Sequence, residues 1–117
     1  MSYRLSLATL VFVASAGSSA AEATLAVSLN LGKDSSFNST EYKCENNTSL
    51  SVKYVNAGVN SLAIMPIEDE NRIFAAVIAG SGVRYMSGPY TWWIKGKNAM
   101  LENVMDDGEP VNCAAKD

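Results

Sequence analysis

"GVRYMSGPYTWWIKG", residues 82–96, decides the fold. Two short runs, "GVRYM" and "YTWWIK", are rich in aromatic and β-branched residues and are joined by Ser87-Gly88-Pro89. Runs of that length around turn residues read as a hairpin. With a period of two, Thr91, Trp93 and Lys95 share one face of the second run, and Tyr90, Trp92 and Ile94 share the other. Both faces cannot be core in a small domain, so one tryptophan must be partly exposed. A partly exposed tryptophan is a common anchor of binding surfaces. Gly82 and Gly96 let the backbone turn tightly beside Ser81 and Lys95. Both side chains should therefore stand on protruding turns at neighbouring points, an arrangement suited to a partner's concave site.

Outward from this hairpin the same rhythm recurs. "EYKC" (41–44) puts Tyr42 and Cys44 on one face, and "LSVKYVN" (50–56) does the same with Leu50, Val52 and Tyr54. "SLAIMPI" (61–67) carries Leu62 and Ile64, with Pro66 marking an edge or a strand end. "RIFAAVIAG" (72–80) is almost unbroken in its apolarity and reads as the most buried strand. "VNCAA" (111–115) closes the series after the turn "DDGEP", and "NAMLENVM" (98–105) alone also admits a helical reading. "TLAVSLNLG" (24–32) alternates Leu25, Val27, Leu29 and Leu31 as an opening strand, and "KDSSFNST" (33–40) reads as a polar connector. Seven or eight short strands with this spacing mean an all-β antiparallel sandwich or a small closed barrel.

The first residues belong to a different kind of segment. Arg4, an apolar run from Leu5 to Ala16 and the small-residue exit "AGSSAAEA" describe a secretory signal peptide. The run is shorter than the roughly 20 apolar residues of a membrane span. Residues 1–21 are assigned to this signal, with cleavage after Ala20, Ala21 or Ala23, and residues 22–117 to a single domain. No cysteine stands near the exit to carry a lipid, so no membrane anchor is expected. Cutting after Ala20 removes Arg4 and leaves 8 basic against 12 acidic residues, a net charge of −4. That balance disfavours nucleic acid and anionic lipid and suits a cationic partner.

Cys44 and Cys113 are the only cysteines, and export places them where a disulfide between them is expected. With no histidine, Ser-His-Asp and Cys-His catalysis are excluded. Two cysteines alone leave too few soft ligands for a metal site. No cofactor is expected. A Ser81–Lys95 hydrolase would need a desolvated lysine and an oxyanion hole, and nothing local supplies either. The chain is therefore expected not to be an enzyme. Glu68-Asp69-Glu70 and Asp106, Asp107 and Glu109 sit in turns and read as solvated surface charge. Asn38, Asn46 and Asn47 each begin an Asn-x-Ser/Thr sequence and are read as turn residues.

In this ordered set the chain resembles the membrane-bound or periplasmic inhibitors of c-type lysozyme. The resemblance rests on "YKC" at 42–44, "SGVRY" at 81–85, "WWIKG" at 92–96, "NAML" at 98–101 and the late Cys113. It implies an eight-stranded antiparallel β-barrel with a Cys44–Cys113 disulfide, exported to the periplasm in the soluble branch of the family. It also implies that two loops enter the active-site cleft of a c-type lysozyme. Ser81 and Gly82 would come from one loop and Lys95 and Gly96 from the other, with Tyr85 as the motif tyrosine. Trp93 is taken with them, while which of Trp92 and Trp93 faces the partner stays open. The remaining alternative is an exported barrel that binds cell-wall glycan or another envelope ligand through its exposed aromatic. Self-association into a homodimer is a further expectation of an exposed tryptophan on so small a barrel.

Overall fold

The computed structural model describes residues 22–117, so the expected signal peptide lies outside the described residues. Eight strands follow one another: β1 (Ser35–Cys44), β2 (Ser49–Ala57), β3 (Asn60–Ile67), β4 (Glu70–Val77), β5 (Val83–Ser87), β6 (Tyr90–Lys95), β7 (Asn98–Asn103) and β8 (Val111–Ala115). Each pairs antiparallel with its successor, and β8 returns to β1. The sheet is thus a closed up-and-down barrel, and of the two all-β architectures it is the barrel that forms. Among the described residues, closure leaves no free edge strand for another chain to extend.

The β1–β8 seam is narrow, with three registered pairs against nine between β1 and β2. One of the three is Cys44 opposite Cys113, and these are joined by a disulfide with an S–S distance of 1.98 Å. A covalent bond therefore holds one of the barrel's shortest ladders.

The interior is filled from one face of each strand. Val52, Ala63, Met65, Phe74 and Trp92 are fully buried, with Tyr42, Tyr54, Tyr85, Ala99 and the disulfide around them. Small residues alternate with large ones: Ala63 stands opposite Tyr54 on one side and Phe74 on the other. That alternation lets bulky rings share a narrow bore. The Tyr42 ring meets Trp92 edge-on, with centroids 5.1 Å apart and planes at 89°. Such an edge-to-face contact is the geometry that aromatic quadrupoles favour.

Three polar atoms accompany these rings inside and satisfy one another. The Trp92 Nε1–H donates to the Tyr54 hydroxyl at 3.0 Å, and the Tyr54 and Tyr42 hydroxyls share a hydrogen bond of 2.8 Å. Burial pushes the Tyr54 hydroxyl far above the ordinary tyrosine range, and the Tyr42 hydroxyl beside it adds to the rise. Burial also raises Tyr85.

Several sequence expectations need correction here. Residues 72–80 are not the most buried strand; in β4 only Phe74 is buried, and Ile73 is 62% exposed. A small barrel has one inner face, so the outer half of an all-apolar strand must meet solvent. In β3 the inward residues are Ala63 and Met65, while Leu62 and Ile64 lie on the outer wall. Leu25 to Leu31 form no strand and stay exposed. β1 begins at Ser35, inside the expected polar connector, and takes in Asn38, which is a strand residue and not a turn residue. "NAMLENVM" contributes β7 and then turns, with no helix.

Candidate functional site

Up-and-down connectivity sends alternate turns to opposite ends of the barrel. The β4–β5 loop, residues 78–82, and the β6–β7 turn, residues 96–97, therefore lie at the same end. Ser81 belongs to the first, and Lys95 closes β6 immediately before the second. Both side chains are exposed.

The approach of the two is close. Gly82 has φ of 67°, and a Cβ built on it would lie 2.2 Å from the Ile94 carbonyl oxygen and 2.9 Å from Lys95 Cγ. Only a residue without a side chain lets the loop lie against β6 there. Gly96 also has positive φ, 61°, but a Cβ there would meet nothing within 4 Å. The two glycines share a backbone conformation and differ in how tightly they are packed.

Trp93 joins the two segments. Its Nε1–H donates to the Ser81 carbonyl at 2.8 Å, and the Lys95 ammonium lies 4.3 Å from its ring centroid. Arg84, its cross-strand partner on β5, has its guanidinium 5.8 Å from the same ring. An Arg84 Nη2–H reaches the Ile78 carbonyl at 3.4 Å, so the loop is touched near both of its ends. Together these contacts place a cation over an aromatic face beside an exposed serine.

Of the site residues read from sequence, Ser81, Gly82, Trp93, Lys95 and Gly96 come together at this end. Tyr85 does not join them on the surface. It is 5% exposed, points into the barrel and packs against Tyr54 with ring centroids 5.8 Å apart. The tryptophan pair divides as alternation requires, with Trp92 in the core and Trp93 on the outer wall, half-buried. Beside Trp93 and Lys95 a cleft of about 220 Å³ is completed by Asn98, Ala99, Met100 and Asn112. Sequence reasoning did not assign these last four to the site. Their signal is the register Trp93↔Met100↔Asn112, which crosses three strands and is invisible along one.

The opposite end of the barrel is acidic. It carries Glu68 and Asp69 on the β3–β4 turn, Glu70 at the start of β4, and Asp106, Asp107 and Glu109 on the β7–β8 loop. Glu68, Asp106 and Glu109 line one cleft there together with Ile67 and Tyr90.

The fold and the site define a small all-β barrel protein that offers two adjoining loops at one end. More specifically, the chain belongs to the MliC family, described as membrane-bound lysozyme-inhibitor of c-type lysozyme, whose model matches residues 42–110. A membrane-bound lysozyme inhibitor of C-type lysozyme from Pseudomonas aeruginosa is 44% identical over 78 residues, 66% of this chain and 61% of that protein. A protein of the same description from Cupriavidus necator is 34% identical over 79 residues, 64% of this chain and 63% of that protein. The match to this chain thus spans less than two thirds of the length of either relative. The crystal structure of Pseudomonas aeruginosa MliC in complex with hen egg white lysozyme is similar at a TM-score of 0.66. Its sequence identity is 36%, over 81% of this chain and 100% of that one.

Proposed function

We propose that this protein inhibits a c-type lysozyme by occluding its active-site cleft with the Ser81 loop and Lys95. The observation that carries the reading is the pairing of Ser81 and Lys95 at one barrel end, in a chain of this family. The Pseudomonas aeruginosa relative crystallised with hen egg white lysozyme supports the choice of partner.

The chemistry of the target suits these side chains. A lysozyme cleft holds two carboxyl groups, one kept protonated by an apolar pocket and one ionised. The Lys95 ammonium inserted between them makes charge-assisted hydrogen bonds where water is scarce. Ser81 adds donor and acceptor capacity without charge. The inhibitor catalyses nothing and acts by exclusion of the glycan substrate. Its place of action is the periplasm, where the expected export signal would deliver it and where a disulfide persists. Protection of the cell's own peptidoglycan is the outcome.

The test is titration of the oxidised domain into a c-type lysozyme hydrolysing a bacterial cell-wall suspension. Stoichiometric loss of hydrolysis supports the proposal. Full hydrolysis at a large molar excess of folded protein sinks it. Binding to purified peptidoglycan without lysozyme would then move the function to glycan recognition, with the Trp93 cleft as the contact.

A further inference from the structure

Trp93 has a job that burial alone does not require. An outward residue on β6 needs neither a hydrogen bond to a loop carbonyl nor a lysine stacked on its face, yet Trp93 has both. The β4–β5 loop has little else to hold it. Among the described residues the side-chain hydrogen bonds that tie it to the barrel are the Trp93 bond to Ser81 and the Arg84 bond to Ile78. Ile78, the largest apolar side chain of the loop, is 94% exposed and gains little from packing. Gly82 removes the steric bar to close approach but supplies no attraction.

We infer that Trp93 is a positioning residue that pre-forms the inhibitory surface, fixing the Ser81 loop through its Nε1–H and aiming Lys95 from its ring face. The inference rests on the lysozyme reading above and adds the device that makes the two loops one surface. A loop and a lysine fixed before encounter lose less freedom on binding, which raises affinity without any new contact. Arg84 acts in the same sense at the other end of the loop. It pairs directly with Trp93 across the β5–β6 ladder, and its Nη2–H reaches the Ile78 carbonyl.

Trp93→Phe is the test, since it keeps an aromatic face, smaller than the indole, under Lys95 and removes the donor to Ser81. Two measurements are made, inhibition of a c-type lysozyme and backbone NMR order parameters of the free protein. The expected result is inhibition about three- to tenfold weaker, the range set by one net hydrogen bond. The order parameters of Gly80, Ser81 and Gly82 should fall from about 0.85, the rigid value, toward about 0.6, with the rest of the barrel unchanged. Arg84→Met, which spares the indole, should loosen the same loop from its Ile78 end.

Weaker inhibition with unaltered loop order would overturn the inference, because Trp93 would then be a direct contact only. So would undiminished inhibition by a Trp93→Phe protein whose wild-type parent inhibits. A wild-type protein that does not inhibit lysozyme overturns the reading beneath the inference, and that failure is visible without any variant.

Discussion

Lys95 and the two glycines beside it show how much depends on a few atoms. Lys95 is exposed and makes no ion pair among the described residues, so its ammonium is available to a partner. Lys95→Ala should leave the thermal midpoint unchanged within a degree or two and weaken lysozyme inhibition at least about tenfold, the loss of one charge-assisted hydrogen bond. Equal inhibition by a folded Lys95→Ala protein would remove this side chain from the mechanism. Gly82 and Gly96 make a sharper pair, because φ is similar in both. Gly96→Ala faces only the left-handed backbone penalty, about 1–2 kcal/mol. Gly82→Ala faces that penalty and also a collision with the Ile94 carbonyl, so the loop must lift off β6. Chemical denaturation should show the larger loss for Gly82→Ala, and its inhibition should fall further than that of Gly96→Ala. Similar values for both would mean that the loop relaxes freely.

Among the elements, the β1–β8 seam and the buried tyrosine pair carry the stability that can be tested. Closing a loop of 69 residues is worth roughly 4 kcal/mol in the chain-entropy view. Reduction, or replacement of Cys44 and Cys113 by Ala, should therefore lower the denaturant midpoint strongly, more than any single surface change. Tyr54 adds a pH signature. Its hydroxyl is held above the unfolded value, so below about pH 10 both states keep the proton and stability does not vary with it. Above that pH the unfolded chain ionises and the native one does not, so stability falls by about 1.4 kcal/mol per pH unit for each such group. Tyr54→Phe should be less stable at neutral pH, where Trp92 Nε1–H and the Tyr42 hydroxyl lose their partner, yet decline less steeply above pH 10. Denaturation curves between pH 8 and pH 11.5 check both halves, and an unchanged slope would clear Tyr54 of the effect. These elements also mark how far the sequence could be read. Alternation located β2 because Ser51 and Lys53 separate its inward side chains, and β6 because its aromatic run is bounded by turns on both sides. β4 gave no such signal, since Ile73, Ala75 and Val77 are apolar on a face that nothing covers. In β3 the larger residues, Leu62 and Ile64, drew attention from Ala63, which is the buried one and stands between Tyr54 and Phe74 on the neighbouring strands. Ser81 and Lys95 were legible from their glycines, whereas the role of Trp93 depends on a loop fold that spacing does not specify.

At the scale of the whole molecule, charge is separated along the barrel, and this changes the electrostatic argument for association. A net charge of −4 on residues 22–117 suggests steering toward a basic lysozyme. Yet six of the carboxylates, Glu68, Asp69, Glu70, Asp106, Asp107 and Glu109, lie on or beside the turns at the end away from Lys95. The Lys95 end instead carries Lys95 and Lys97, with Lys97 paired to Asp117 at 2.6 Å. The monopole draws a basic partner without choosing an end, while the charge separation turns the acidic end toward it, so the orienting field opposes docking at Lys95. At an ionic strength near 0.15 M the screening length is about 8 Å, short against a strand of 8 residues at about 3.4 Å each. The acidic end is then largely hidden from a partner docked at the other. The expected association rate is accordingly in the ordinary range of about 10⁵–10⁷ M⁻¹s⁻¹ and depends only weakly on salt. Asp106→Asn with Asp107→Asn, which removes two of the distant charges, should change inhibition less than twofold in physiological salt. Stopped-flow association across a range of salt concentrations decides the matter. A steep rise in rate at low salt, abolished by the double substitution, would show that the acidic end does steer the encounter and that the two proteins reorient after first contact.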